Sequence, residues 1–315
     1  MKLTVASSPH IRSSFRTNRI MLDVVLALQP TLAVGVFVHG FRALLITLIS
    51  VLSAVFAEFF YCMVTKSRNT TPDCSAIVTG LLLAMTLPVS VPVWLVIVGA
   101  VFAIVFVKCL CGGLGQNIFN PALAARAFML LIFPVGMTYY GFSGADAVSS
   151  ATPLHHMVIP ALPEESLLHM FLGLIPGSIG EVSSLALLLG GVYLIFRKVI
   201  SVRIPGAYLG TVAVLTLVFH KTDAPIDWML SNLLGGGLIL AAIFMATDYS
   251  SSPVTAQGQL IHGIGCGAFT VLFRYFGLYP EGVTYAILLM NALVWFIDRH
   301  TAPRRFGAQE GGCSE

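Results

Sequence analysis

The sequence predicts an all-α integral membrane protein with about ten transmembrane helices, and three observations predict it. Of 315 residues, 57% are apolar and only 10% are charged, against roughly 25% charged in ordinary soluble domains. Apolar runs of bilayer-crossing length recur along the whole chain, and the few charges fall mostly between them. A chain of this kind needs lipid as its solvent, which excludes a soluble enzyme or a soluble binding module. The six cysteines (62, 74, 109, 111, 266 and 313) match neither a secreted disulfide framework nor paired zinc spacing. Cys109-x-Cys111 alone falls short of the four thiolates that an iron–sulfur cluster normally takes. No nucleic-acid partner is expected.

A spanning helix needs about 20 apolar residues at about 1.5 Å each. The runs are 20–38, 43–64, 75–91, 93–110, 121–140, 183–196, 205–219, 229–247, 255–276 and 281–298. The third and sixth are short, and Gly235-Gly236-Gly237 leaves the start of the eighth loosely bounded. The first run contains Asp23 and lacks a small-residue cleavage site, so it reads as a retained span. With the N-terminus in the cytoplasm, 13 Lys and Arg fall on the inner side. Only Arg42, Lys221 and Arg274 fall on the outer side. This bias puts both termini in the cytoplasm.

Residues 141–182 break the rhythm. They carry Asp146, Glu164, Glu165 and Glu181 but no Lys or Arg, and the charge bias puts them outside. Within them the apolar stretch Leu167–Ile175 is too short to cross and is expected to re-enter or to lie in the interface. The expected organisation is a first membrane repeat with this loop (1–182), a second repeat (183–300) and a cytoplasmic tail (301–315). Gly80-Leu81-Leu82-Leu83-Ala84 and Gly237-Leu238-Ile239-Leu240-Ala241 match at four of five positions, half a chain apart. Two halves of five spans each have to be inverted relative to one another. Chance in a Leu-, Ala- and Gly-rich chain competes with that reading.

The outer loop begins with Asp146-Ala147-Val148-Ser149-Ser150-Ala151-Thr152-Pro153. Physically this is a carboxylate beside a run of small hydroxyl residues, able either to close a turn or to offer a hydroxyl for modification. The stretch resembles the acceptor motif for covalent flavin attachment, in which a flavin transferase joins FMN through its phosphate to the threonine. Further stretches agree along nearly the whole chain. They are Ser7-Ser8-Pro9-His10 with Ile20-Met21-Leu22-Asp23, Gly112-Gly113-Leu114-Gly115-Gln116-Asn117 with Phe119-Asn120-Pro121-Ala122, Ala246-Thr247-Asp248 with Ser252-Pro253, and Pro280-Glu281-Gly282-Val283. Together they resemble the D subunit of the Rnf complex, a family related to the B subunit of the sodium-translocating NADH:quinone oxidoreductase.

The resemblance implies a redox subunit of an ion pump in the bacterial inner membrane. Electrons pass between ferredoxin and NAD, coupled to Na⁺ or H⁺ transport, and other subunits of the complex supply donors and acceptors. It implies two inverted five-helix repeats similar to those of urea transporters, FMN on Thr152, and an attachment motif of Asp146, Ser149, Ser150 and Ala151. Riboflavin, held non-covalently, is associated with relatives. A self-contained channel or carrier for a small solute is the competing class, which the repeat architecture alone would favour.

Ionisable groups at membrane depth are functional candidates because they are costly there. Asp23 follows Arg19 by one turn and is expected either to pair with it or to serve an ion path. Glu58 and Arg126 are expected either to line an ion or flavin site as a buried pair or to be structural. Arg126 or Arg274 could approach the flavin phosphate. Asn120-Pro121 is expected to start the fifth helix as cap and first residue, and Trp94, Trp228 and Trp295 to anchor at the interface. His155, His156 and His169 lack ligand spacing on one helix face and read as solvated residues or flavin neighbours.

Overall fold

The computed structural model describes residues 17–66, 70–138, 167–173, 177–277 and 282–302. The chain is an all-helical membrane protein, with no strand among the described residues. Among these residues two helices are long and apolar enough to cross a bilayer, α1 (Thr17–His39) and α2 (Phe41–Val64). They are joined by the single residue Gly40, whose φ of 73° lies in the left-handed region that favours glycine. Next come α3 (Ser75–Met85), α4 (Val93–Cys109), α5 (Pro121–Ile132) and α6 (Pro134–Thr138). The short α7 (Leu167–Leu172) precedes α8 (Ser184–Phe196), α9 (Arg203–Val218) and α10 (Pro225–Leu234). The chain continues as α11 (Leu238–Met245), α12 (Ala256–Phe276) and α13 (Val283–Thr301).

Local chemistry sets several boundaries. The Asn120 side chain accepts from Ala122 N (3.0 Å) and Leu123 N (3.3 Å) with Pro121 at the first helical position, the expected start of α5. Ser183 and Thr255 cap α8 and α12 in the same way. The last part of α4, Phe102–Cys109, and most of α11, Ala241–Met245, are wound as π-helix. The wider turn is closed by Leu110 N to Val105 O and Ala246 N to Ala241 O.

Three expected spans are broken, the fifth at Phe133 between α5 and α6. α3 stops at Met85, and the chain runs on without helix to Pro92. There Leu87 O accepts from Ile179 N (3.1 Å) and Met85 O accepts from Gly180 N (2.8 Å). The eighth run is divided at Gly235–Gly237 into α10 and α11, bent by 60°. The α10 end is closed by Arg274 of α12, whose guanidinium donates to Asn232 O (2.5 Å) and Gly235 O (2.9 Å). A cation at a helix C-terminus also complements its dipole. Trp228 departs from the interfacial expectation: it is fully buried, and its indole N–H donates to the Tyr275 hydroxyl at 2.9 Å. Tyr275 of α12 packs against its ring, and α10 packs on α9. Trp94 and Trp295 are exposed.

Packing pairs α1 with α8, α2 with α3 and α4, α9 with α12, α12 with α13, and α4 with α5. The contacts are close because small residues sit at the crossings. A Cβ on Gly80 would lie 2.8 Å from Val51 Cα, where the Ser50 hydroxyl already donates to Gly80 O at 2.7 Å. A Cβ on Gly210, by contrast, meets nothing within 4 Å. Gly80→Val is therefore expected to lower stability by about 1–3 kcal/mol through overpacking. Gly210→Ala should raise it by roughly 0.5–1 kcal/mol through backbone entropy. Thermal unfolding of the purified protein in detergent reads both, and equal melting temperatures for the two variants would contradict the packing account.

Candidate functional site

Three charged or polar stations are built inside the bundle. The first is a buried ion pair between α2 and the end of α4. Glu58 lies 0% exposed on α2, and Lys108, 2% exposed, reaches it from the π-helical end of α4. Lys108 Nζ donates to Glu58 Oε1 (2.7 Å) and to the hydroxyl of Ser75 (2.7 Å), the first residue of α3. Thr70 adds a 2.6 Å hydrogen bond to the same carboxylate oxygen. The other oxygen, Oε2, is buried without a hydrogen-bond partner among the described residues. An unsatisfied acceptor costs about 1–3 kcal/mol, and a buried pair repays its desolvation only with good geometry. Glu58 thus finds Lys108 as its partner in place of the expected Arg126.

Lys108 and Ser75 also line the second station, a cleft between the two halves of the chain. Its apolar walls include Val78 and Leu82 of α3, Leu194 of α8, and Ile243 and Phe244 of α11. Its polar lining comes from Thr79, Lys108, Asn117, Asn120, Thr247 and Asp248. The loop leading to α5 needs its glycines: Gly112 (φ 109°) and Gly113 (φ 91°) lie in the left-handed region, which costs a side-chain-bearing residue energy. Asn120 ties this loop to α11 by donating to Met245 O at 3.2 Å. Its own N–H is accepted by the Asn291 side-chain oxygen (3.2 Å), while the Asn291 amide nitrogen donates to Ser251 O (3.0 Å). Burial pushes the Asp248 carboxyl above its ordinary value, opposed by hydrogen bonds from Ser251, Asn117 and the backbone at Ser250 and Tyr249.

The third station sits at the breaks. A small cavity is lined by Arg126, Thr86, Ser178, Gly236, Gly237 and Thr284. Arg126, 6% exposed on α5, therefore faces the ends of the broken helices and not Glu58. Glu181 approaches the same region, with Oε2 accepting from Ser178 N at 3.1 Å.

Asp23 also departs from expectation. Its carboxylate takes two bonds from Arg197 Nη2 (3.3 and 3.1 Å) and one from the Tyr193 hydroxyl (3.0 Å), all from the α8 end of the chain's second half. The neighbouring Arg19 is exposed one turn away, because Asp23 faces the α1–α8 contact. Arg274 is engaged at the α10 terminus. Thr152, Asp146, Ser149, Ser150 and Ala151 lie outside the described residues, as do His155 and His156. Sequence reasoning missed Lys108 by counting it as a loop charge, although it falls inside the apolar run 93–110. It also passed over Ser75.

The ion pair has a measurable signature. Lys108→Met leaves the Glu58 charge buried alone and is expected to cost about 3–5 kcal/mol. Adding Glu58→Gln should return most of that loss, as read by melting temperatures across a double-mutant cycle. Additive losses would show that the two side chains are not coupled.

The chain matches the model of the NQR2, RnfD, RnfE family over residues 4–307. It is 48% identical to the D subunit of the Na(+)-translocating ferredoxin:NAD(+) oxidoreductase complex of Acetobacterium woodii, over 98% of this chain and 96% of that one. It is 43% identical to the D subunit of the proton-translocating ferredoxin:NAD(+) oxidoreductase complex of Clostridium ljungdahlii, over 97% and 96%. It is 40% identical to the D subunit of the ion-translocating oxidoreductase complex of Stutzerimonas stutzeri, over 96% and 95%. A match of this extent, with the same subunit type in each of these relatives, decides the kinship: the chain belongs to the NQR2, RnfD, RnfE family.

Proposed function

We propose that this chain is the D subunit of an ion-translocating ferredoxin:NAD⁺ oxidoreductase complex, with FMN joined through its phosphate to Thr152. The observation that carries the reading is the Asp146-Ala147-Val148-Ser149-Ser150-Ala151-Thr152 stretch within a chain of this family. The chain does not work alone: electron donors and acceptors sit on partner subunits, and a flavin transferase loads Thr152. A flavin supplies one- and two-electron redox chemistry, and a phosphoester tether fixes its depth while the protein supplies position and electrostatics.

Both termini face the cytoplasm and the Thr152 loop faces outward, a reading supported by the Lys/Arg bias. Ten spans in two inverted five-helix repeats are supported by the paired packing, in which α2 meets α4 as α9 meets α12, and α4 meets α5 as α12 meets α13. The α3 and α10–α11 breaks are the discontinuous helices that such folds carry near the midplane. We assign the mouth of the cleft to a second, non-covalent flavin such as riboflavin. Val78, Leu82, Ile243 and Phe244 offer apolar faces for a planar ring, and Lys108, Asn117 and Thr247 offer hydrogen bonds. Lys108 then joins the cleft to Glu58, the residue we assign to the ion path. The transported ion is a monovalent cation; the two most similar of these relatives are named for Na⁺ and for protons respectively.

Two experiments test this. The complex is co-produced with its transferase and denatured in a gel. Flavin fluorescence is expected to stay with the band of this chain and to vanish in Thr152→Ala, and an intact mass equal to the bare polypeptide would refute attachment. Glu58→Gln is expected to leave assembly and bound flavin unchanged while reducing cation uptake into vesicles by at least about tenfold, as loss of one charged hydrogen-bonded group typically costs about 1.5–3 kcal/mol. Undiminished uptake would remove Glu58 from the ion path.

A further inference from the structure

The contact between α1 and α8 has an outer seam that the proposed redox function does not use. The two helices run antiparallel, since Asp23 meets Arg197 while Ala27 meets Gly190 further along. At that crossing the helices touch backbone to backbone: a Cβ on Gly190 would collide with Ala27 O. Along the outside of the seam is an open groove of about 520 Å³ lined by Leu26, Ala27, Pro30, Leu189, Gly190 and Tyr193. Leu26 and Leu189 are each 58% exposed and form its rims. Among the described residues the lining is apolar except at the Tyr193 end.

That end is cationic. Tyr193 gives its hydroxyl to Asp23, and Arg197 lies one turn beyond it, about 6 Å along the helix. Both Arg197 bonds to Asp23 leave from Nη2, so Nη1 and Nε take no part in holding the carboxylate. The Arg197 side chain is 51% exposed, and Lys198 and Arg19 are exposed beside it. These three cations against one carboxylate leave a local positive excess at the foot of an apolar groove.

We infer that the α1–α8 seam is a binding site for an anionic phospholipid, with an acyl chain along Leu26, Pro30 and Leu189 and the phosphate at Arg197 and Lys198. A groove of alkyl width under a preorganised guanidinium matches a molecule that is apolar along its length and negative at one end. Basic pockets between membrane helices take anionic headgroups on the same grounds. The planar fork of Arg197 suits phosphate, and half of the side chain is exposed while Nη2 is held by Asp23. The site rests on the membrane nature of the chain and not on the flavin.

The test uses the intact complex in phosphatidylcholine nanodiscs. A trace of phospholipid with a photoreactive acyl chain is added, bearing either a phosphatidylglycerol or a phosphatidylcholine headgroup. Peptides containing Leu26–Pro30 and Leu189–Tyr193 are expected to be labelled several-fold more by the phosphatidylglycerol probe. Lys198→Gln should reduce that preference. Leu189→Trp, which fills the groove and leaves the Asp23–Arg197 pair intact, should reduce labelling by the same probe; unchanged melting temperatures show that both variants are folded. Equal labelling by the two probes, or none because a partner helix covers the seam, would overturn the assignment.

Discussion

Backbone groups that face hydrocarbon have no water to bond, so a polypeptide in lipid must satisfy every N–H and C=O from within. Most of this chain does so by staying helical. Where it does not, the breaks meet one another and the protein supplies the missing partners. The unwound chain after Met85 receives backbone N–H groups from Ile179 and Gly180. The open end of α10 receives the guanidinium of Arg274. The rest of the architecture depends on this: the breaks have to lie at the centre, which draws Arg126, Ser178, Thr86 and the 177–183 segment around one small cavity.

Charge follows the same logic. Lys108 and Glu58 are tolerated at depth because each completes the other, with Ser75 and Thr70 adding hydrogen bonds. The arrangement is asymmetric, since one carboxylate oxygen has two partners and the other has none among the described residues. A group with an open acceptor, next to a cation that also borders the cleft, can respond to charge arriving there. The π-helical ends of α4 and α11 set the direction of Lys108 and of the Thr247–Asp248 corner. Each extra residue per turn shifts the side chains that follow around the helix axis.

The apolar runs made α1, α2, α12 and α13 legible, and Asn120-Pro121 marked the start of α5 to the residue. The α3 and α10–α11 breaks left traces, a short third run and three consecutive glycines. Partner choice was not legible. Arg19 was the one partner offered for Asp23, because sequence neighbours are all a one-dimensional reading offers. The bond that forms joins residues 174 positions apart, once α8 packs on α1. Lys108 was hidden for a related reason: a lysine at the end of an apolar run looks like a loop charge until the helix continues past it and turns it inward. Trp228 was misplaced because the residue that partners it, Tyr275, lies 47 positions away in the sequence.

The Asp23–Arg197 bond also bears on biogenesis. Its acidic partner enters the membrane with the first helix, while its basic partner is made 174 residues later. At roughly 5–20 residues per second of synthesis, α1 waits on the order of 10–35 s with an uncompensated carboxylate near the lipid boundary. During that interval α1 and α2 form a nascent hairpin whose eventual neighbour has not left the ribosome.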